Sequence, residues 1–129
     1  MDIRSDFAWR IRAEIRSAVN LPYNRTTDSQ LPSAYVEFGW AAQNHLDINQ
    51  PETARSATID ANRFPVWNNE LIFYPPKSVT TLDGFIIFHL RDRYAAKPLQ
   101  RFYIPVSAFK PFHPVHLVTY YNNFLGFIT

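Results

Sequence analysis

Residues 9–18 read Trp9-Arg10-Ile11-Arg12-Ala13-Glu14-Ile15-Arg16-Ser17-Ala18. Trp9, Ile11, Ala13 and Ile15 share one side of a two-residue period, and Arg10, Arg12, Glu14 and Arg16 share the other. Successive side chains of an extended chain point to opposite faces, so this alternation predicts a strand with one buried and one wet face. Further strand candidates follow at 34–40, 53–59, 71–74, 85–91, 101–106 and 116–121. The ten prolines lie between these runs or at their ends. Proline has no N–H to give a sheet ladder, so it punctuates strands and argues against long helices. With eleven Phe, seven Tyr and three Trp to fill the space between two layers, the chain is expected to be all-β, an antiparallel eight-stranded sandwich. Only three glycines are present, which predicts few tight hairpins and long connections at 20–33, 43–52 and 92–100.

The 129 residues are 47% hydrophobic and 19% charged, which suits one domain with a core large enough to need no staple. The absence of cysteine excludes disulfides, thiol catalysis and thiolate zinc sites. A net charge of +2 with the acids evenly mixed among the bases predicts no nucleic-acid binding. Residues 1–15 carry Asp2, Arg4, Asp6, Arg10, Arg12 and Glu14, which leaves no apolar run for a secretory signal. No stretch approaches the about 20 apolar residues of a membrane span. A cytoplasmic location is therefore expected, and the sequon Asn24-Arg25-Thr26 is read as chance.

No catalytic constellation stands out. His45, His89, His113 and His116 are the only imidazoles, and His113 and His116 straddle Pro114 without a third ligand placed by spacing. Glycine-rich phosphate loops, nucleophile elbows and paired-carboxylate motifs are all missing. The expectation is a non-enzymatic chain with no cofactor and no metal.

Two segments carry more information. Val19-Asn20-Leu21-Pro22, then Pro32-Ser33-Ala34-Tyr35-Val36-Glu37-Phe38, resembles the opening of the C2 domain family, where Asn-Leu-Pro begins a loop and Ser-Asp-Pro-Tyr-Val begins the next strand. Phe64-Pro65-Val66-Trp67-Asn68-Asn69-Glu70-Leu71-Ile72-Phe73 is similar to that family's Asn-Pro-x-Trp-Asn-Glu segment. Phe85-Ile86-Ile87-Phe88-His89-Leu90-Arg91-Asp92 follows at the spacing of the strand that ends in the family's last calcium loop, and Phe102-Tyr103-Ile104-Pro105-Val106 matches the next strand. The resemblance spans 9–121, with 1–8 read as an N-terminal extension and 122–129 as a C-terminal tail, either packed under the sandwich or exposed as a docking patch. The Trp67 motif needs only a scaffold role: Pro65 sets the turn, Trp67 fills the core edge, and Asn68 or Glu70 bonds local backbone.

The resemblance implies calcium held between loops at one end of the sandwich and bridged to anionic lipid. That chemistry takes about six to eight oxygen ligands, mostly carboxylates. Here the acidic positions of the first loop fall near Thr27 and at Ser33, with Asp28 displaced by one residue, and the second site keeps Asp92 but has Tyr94 and Gln100 in place of acids. Residues 91–110 hold five basic side chains against the single acid Asp92, which repels a divalent cation. The chain is thus expected to be a degenerate, calcium-independent member, with Asp92 turning or capping its own loop.

The leading expectation is protein–protein docking within a larger scaffold or trafficking protein, with centrosomal, ciliary and ferlin-type hosts in the range the resemblance implies. The alternative is calcium-independent, peripheral attachment to anionic phospholipid through the basic loop 91–101. Its contact residues would be Arg91, Arg93, Tyr94, Lys97 and Arg101, with Leu99 beside Tyr94 at the tip. A groove on the middle strands looks neutral, since 53–74 offers Arg55 and Arg63 beside Asp60 and Glu70. A second candidate contact is the stripe Arg10, Arg12 and Arg16, broken by Glu14, which either faces solvent or meets an acidic partner.

Overall fold

A computed structural model describes residues 9–42, 53–79, 81–110, 117–121 and 124–128, the last two stretches by their backbone. The strands are β1 (Ile11–Ala18), β2 (Ala34–Ala41), β3 (Thr53–Arg55), β4 (Val66–Phe73), β5 (Phe85–Asp92), β6 (Gln100–Pro105), β7 (Leu117–Tyr121) and β8 (Phe124–Ile128). They form two four-stranded sheets, ordered β4-β1-β8-β7 and β3-β2-β5-β6. Every pairing between named strands is antiparallel, so the expected eight-stranded sandwich is the observed architecture.

β1 behaves as its period predicts: Ala13 and Ile15 are buried, whereas Arg12, Glu14 and Arg16 are exposed. Opposite it, Val36, Phe38, Ile86, Phe88 and Leu90 turn inward from β2 and β5. Rings link the layers. Phe102 stacks on Phe88 at 5.2 Å, Phe88 on Phe38 at 4.9 Å, and Phe38 meets Phe73 of the other sheet at 5.8 Å, with Trp9 beyond at 6.3 Å. Each such pair adds roughly 0.5–1.5 kcal/mol to its area burial.

Three boundaries differ from the sequence reading by more than two residues. β3 stops at Arg55; beyond it Ser56 exchanges bonds with the Val36 main chain, its N–H to the Val36 carbonyl and its hydroxyl accepting the Val36 N–H, and Ile59 bridges Ala34. β4 begins at Val66 rather than at residue 71, because polar Asn68 and Glu70 occupy its outer face while Trp67, Leu71 and Phe73 turn toward the core. The segment read as a tail contains β8, which lies between β1 and β7 and pairs with both, so the sandwich extends through Ile128. His45, His113, His116, the connection 43–52 and the extension 1–8 lie outside the described residues.

At one end of the sandwich, Trp9 donates its indole N–H to the Thr81 carbonyl at 3.0 Å and Trp40 donates to the Asp83 carbonyl at 2.8 Å. Gly84 passes under Trp40 with φ +83°, where a Cβ would stand 2.6 Å from the indole nitrogen. The opposite end carries the loops that matter below.

Candidate functional site: the three-loop end

Register brings three connections to one end. Ser17 faces Val66, Ala34 faces Asp92, and Glu37 faces Arg55, so the β1–β2, β3–β4 and β5–β6 loops emerge together. Main-chain bonds tie the first loop to the other two: Leu21 N–H to Arg63 O at 3.0 Å, Asn62 N–H to Pro32 O at 2.8 Å, and Arg93 N–H to Ser33 O at 2.8 Å.

Asp92 is the hub. It is 2% exposed, and a carboxylate so buried must have donors. Its Oδ1 accepts the main-chain N–H of Ser33 and of Tyr94, each at 3.1 Å, and its Oδ2 accepts the Asn24 side-chain amide at 2.8 Å. The Tyr94 bond is the self-turn expected of this residue, and the other two bonds reach across to the first loop and the start of β2. The Ser33 hydroxyl, also buried, accepts the Ala61 N–H at 3.0 Å and so carries the network into the third loop. Among the described residues no three carboxylate or imidazole groups converge on a point that could hold a metal ion.

Each loop shows an aromatic ring to solvent: Tyr23 is 58% exposed, Phe64 51% and Tyr94 55%. Arg63 is built into this surface. Its Nε donates to the Leu21 carbonyl at 2.6 Å and an Nη to the Tyr23 hydroxyl at 3.1 Å, while its guanidinium lies 4.1 Å from the Tyr23 ring and 5.9 Å from that of Phe64. Arg93 stands 5.6 Å from the Tyr94 ring. Arg25, Arg93 and Lys97 are exposed beside them, and the exposed acids of the same loops are Asp28 and Asp60.

The candidate set from 91–101 is therefore divided. Arg93, Tyr94 and Lys97 lie on the loop, whereas Arg91 and Arg101 belong to β5 and β6. Leu99 is not a tip residue: its N–H bonds the Leu90 carbonyl at 2.7 Å and its side chain packs against the core. Tyr23, Arg25, Arg63 and Phe64 were missed. The signal was an aromatic next to a loop proline, Pro22-Tyr23 and Phe64-Pro65, where no strand can bury the ring.

Arg91 lies on the outer face of the β3-β2-β5-β6 sheet, where its Nε donates to Glu37 Oε1 at 2.6 Å. The same oxygen is 3.5 Å from His89 Nδ1, and an Arg91 Nη donates to that nitrogen at 3.3 Å. His89 is 3% exposed and its Nε2 meets no partner among the described residues. Burial first, then the positive charges of Arg91 and Arg101, hold it below the ordinary imidazole range, with Glu37 pulling the other way. Arg55 lies 3.7 Å over the Tyr35 ring on this face. Of the residues read as a groove in 53–74, only Arg55 is here: Arg63 and Asp60 are in a loop, and Glu70 is on the other sheet.

The arginine stripe of β1 is partly spent within its own sheet. Arg12 pairs with Glu70 at 2.5 Å and Arg16 with Glu14 at 3.3 Å, while Arg10 is exposed.

A two-sheet antiparallel sandwich with three tied loops at one end defines the class. Comparison with solved structures makes it a C2 fold. The chain superposes over 93% of its length on part of human GIVD cytosolic phospholipase A2, with TM-score 0.68 and 13% identity, and spans 16% of that protein. It matches a C2 domain of plant extended synaptotagmin 1, the one designated A, over 95% of its length and 92% of that chain, with TM-score 0.64 and 11% identity. The corresponding C2 domain of RIM from Drosophila matches over 78% of this chain and 87% of its own, with TM-score 0.53 and 13% identity. At such identities the likeness is one of fold. No protein-family profile matches the sequence, and no curated protein does. Among the described residues no helix is long and apolar enough to cross a membrane.

Proposed function

We propose that the chain is a non-catalytic attachment module whose three-loop end docks on anionic phospholipid without calcium. The observation that carries this reading is the exposed aromatic on each of three separate loops at one end, set among Arg25, Arg63, Arg93 and Lys97. Aromatic rings settle at the headgroup level of a bilayer. Basic side chains near an anionic leaflet contribute about 1 kcal/mol each. Calcium independence is supported by Asp92, whose two oxygens already receive three N–H donors. A cation would have to displace these with few other carboxylates to replace them.

Protein docking, the leading expectation from sequence, has less support from the geometry, because two of the three stripe arginines are satisfied inside their own sheet. On the membrane reading the chain works peripherally at the cytoplasmic leaflet, where anionic lipid is concentrated. It would there hold a larger scaffold or trafficking protein, and such a place is supported by the small share, 16%, that the matched domain takes of the phospholipase chain.

Vesicle sedimentation tests the proposal. With a calcium chelator present, the chain is expected to sediment with phosphatidylserine-containing vesicles, to ignore pure phosphatidylcholine, and to lose binding as salt shortens the screening length. An Arg93→Glu, Lys97→Glu variant is expected to stay in the supernatant. Failure of the wild type to sediment, or sedimentation only with added calcium, overturns the reading. An acidic protein surface would then be the remaining partner for the same charges.

A further inference from the structure

We propose that Asn24 is a positioning residue, a latch that sets the loop end in its docking shape without a metal ion. The inference rests on the loop end being the docking surface, but its principal test needs no membrane.

Asp92 draws one of its three donors, the Ser33 N–H, from the residue that precedes β2, and a second, the Tyr94 N–H, from its own turn just past the end of β5. The third, on Oδ2, is the Asn24 amide, which comes from the middle of the long β1–β2 loop. The other end of the same amide works in the opposite sense: Asn24 Oδ1 accepts the Thr26 N–H at 3.0 Å and the Thr26 hydroxyl at 2.5 Å. Its main-chain N–H donates to the Gln30 carbonyl at 2.9 Å, and its carbonyl accepts the Thr27 hydroxyl at 3.2 Å. One residue thus closes the loop on itself and fastens it to the buried carboxylate. Its sequence neighbours are Tyr23 and Arg25, so the latch also governs where an aromatic and a basic member of the surface stand.

Only a side chain with a donor and an acceptor on one short stem can do both tasks. Alanine does neither. Aspartate keeps the acceptor for Thr26 but turns a second carboxylate toward Asp92, and like charges at that distance cannot both stay ionised. A shared proton would restore the contact, which gives the latch a signature that loss of packing does not have.

Amide hydrogen exchange on the full chain, with a chelator present, reads this directly. Asn24→Ala is expected to lower protection at Thr26, Gln30 and Tyr94 by about tenfold or more, the scale of a lost hydrogen bond to a buried charge, while Val36 and Phe88 keep wild-type protection. Asn24→Asp is expected to keep protection at Thr26, whose acceptor it retains, to lose it at Gln30 and Tyr94 at pH 7.5, and to regain most of that loss at pH 5, when the two carboxylates share a proton. Wild-type loop protection in Asn24→Ala overturns the latch, and so does an Asn24→Asp variant indifferent to pH. Vesicle sedimentation of Asn24→Ala, expected to be weakened, is read only if the wild type binds. If it does not, the docking surface fails and the exchange experiment still decides the latch.

Discussion

His89 shows how little of a residue's chemistry is visible in its neighbours along the chain. In sequence it is one of four scattered imidazoles. In the fold it is 3% exposed between Glu37 on β2 and Arg101 on β6, with Arg91 two residues away sharing its carboxylate and Arg55 facing Glu37 from β3. Its pKa is lowered in the folded state, chiefly by burial, so the fold favours the neutral ring. The sign follows from linkage. Above the unfolded value of 6.5 the ring is neutral in both states and the full stability is present. As pH falls from there, the unfolded chain takes the proton more readily, and stability is lost until the folded pKa has been passed. Urea unfolding at pH 7 and pH 5 is expected to show a lower midpoint at pH 5, and His89→Gln is expected to remove up to one proton's worth of that slope, at most about 1.4 kcal/mol per pH unit. Equal slopes in both proteins would show that the ring is not held neutral. Asp92 is the counterexample at this scale, because its turn role was legible from position alone, while its bond to Asn24, 68 residues away, was not.

At the scale of the element, β4 carries the clearest lesson. Its register against β1 slips between Ile15 and Ser17, and the extra residue is on β4, where Asn68 takes φ +47°. Asparagine tolerates that left-handed backbone better than most residues. Trp67 beside it is 8% exposed and sends its indole N–H to the Ala34 carbonyl at 3.2 Å, while Asn69 Oδ1 accepts the Ala57 N–H at 3.0 Å. Trp67 ties β4 to the start of β2 and fills the core edge as expected, but the bond to local backbone comes from Asn69 rather than from Asn68 or Glu70, whose carboxylate pairs with Arg12 instead. Trp67→Ala is expected to cost about 3–5 kcal/mol, a large core ring lost. Trp67→Phe should cost far less, about 1 kcal/mol, since ring volume mostly remains and one hydrogen bond goes. Chemical denaturation distinguishes them, and equal losses would mean that the hydrogen bond rather than the packing holds the strand. Strand identity was legible here, but its start was not: a bulge breaks the two-residue period where periodicity is the only signal.

For the molecule as a whole, the closing strand decides whether there is a sandwich at all. β8 stands between β1 and β7, and removing it would leave β7 without a partner and β1 as a new edge held only by β4. Deletion of 122–129 is expected to abolish cooperative thermal unfolding, whereas a true tail would leave the transition unchanged. Alternation of apolar and polar side chains, with prolines between the runs, determined the fold class and most of the strands, because which face meets water is settled within each strand. The resemblance, read residue by residue, added that Ser33, Tyr94 and Gln100 stand where the family pattern has acids. Tertiary structure decided which loops share an end, that Tyr23, Phe64 and Tyr94 are its exposed rings, and that Arg91 and Leu99 are not part of it. The physical reason is register: one antiparallel pairing between distant segments sets the position of every loop attached to them, and no local stretch of chain encodes it.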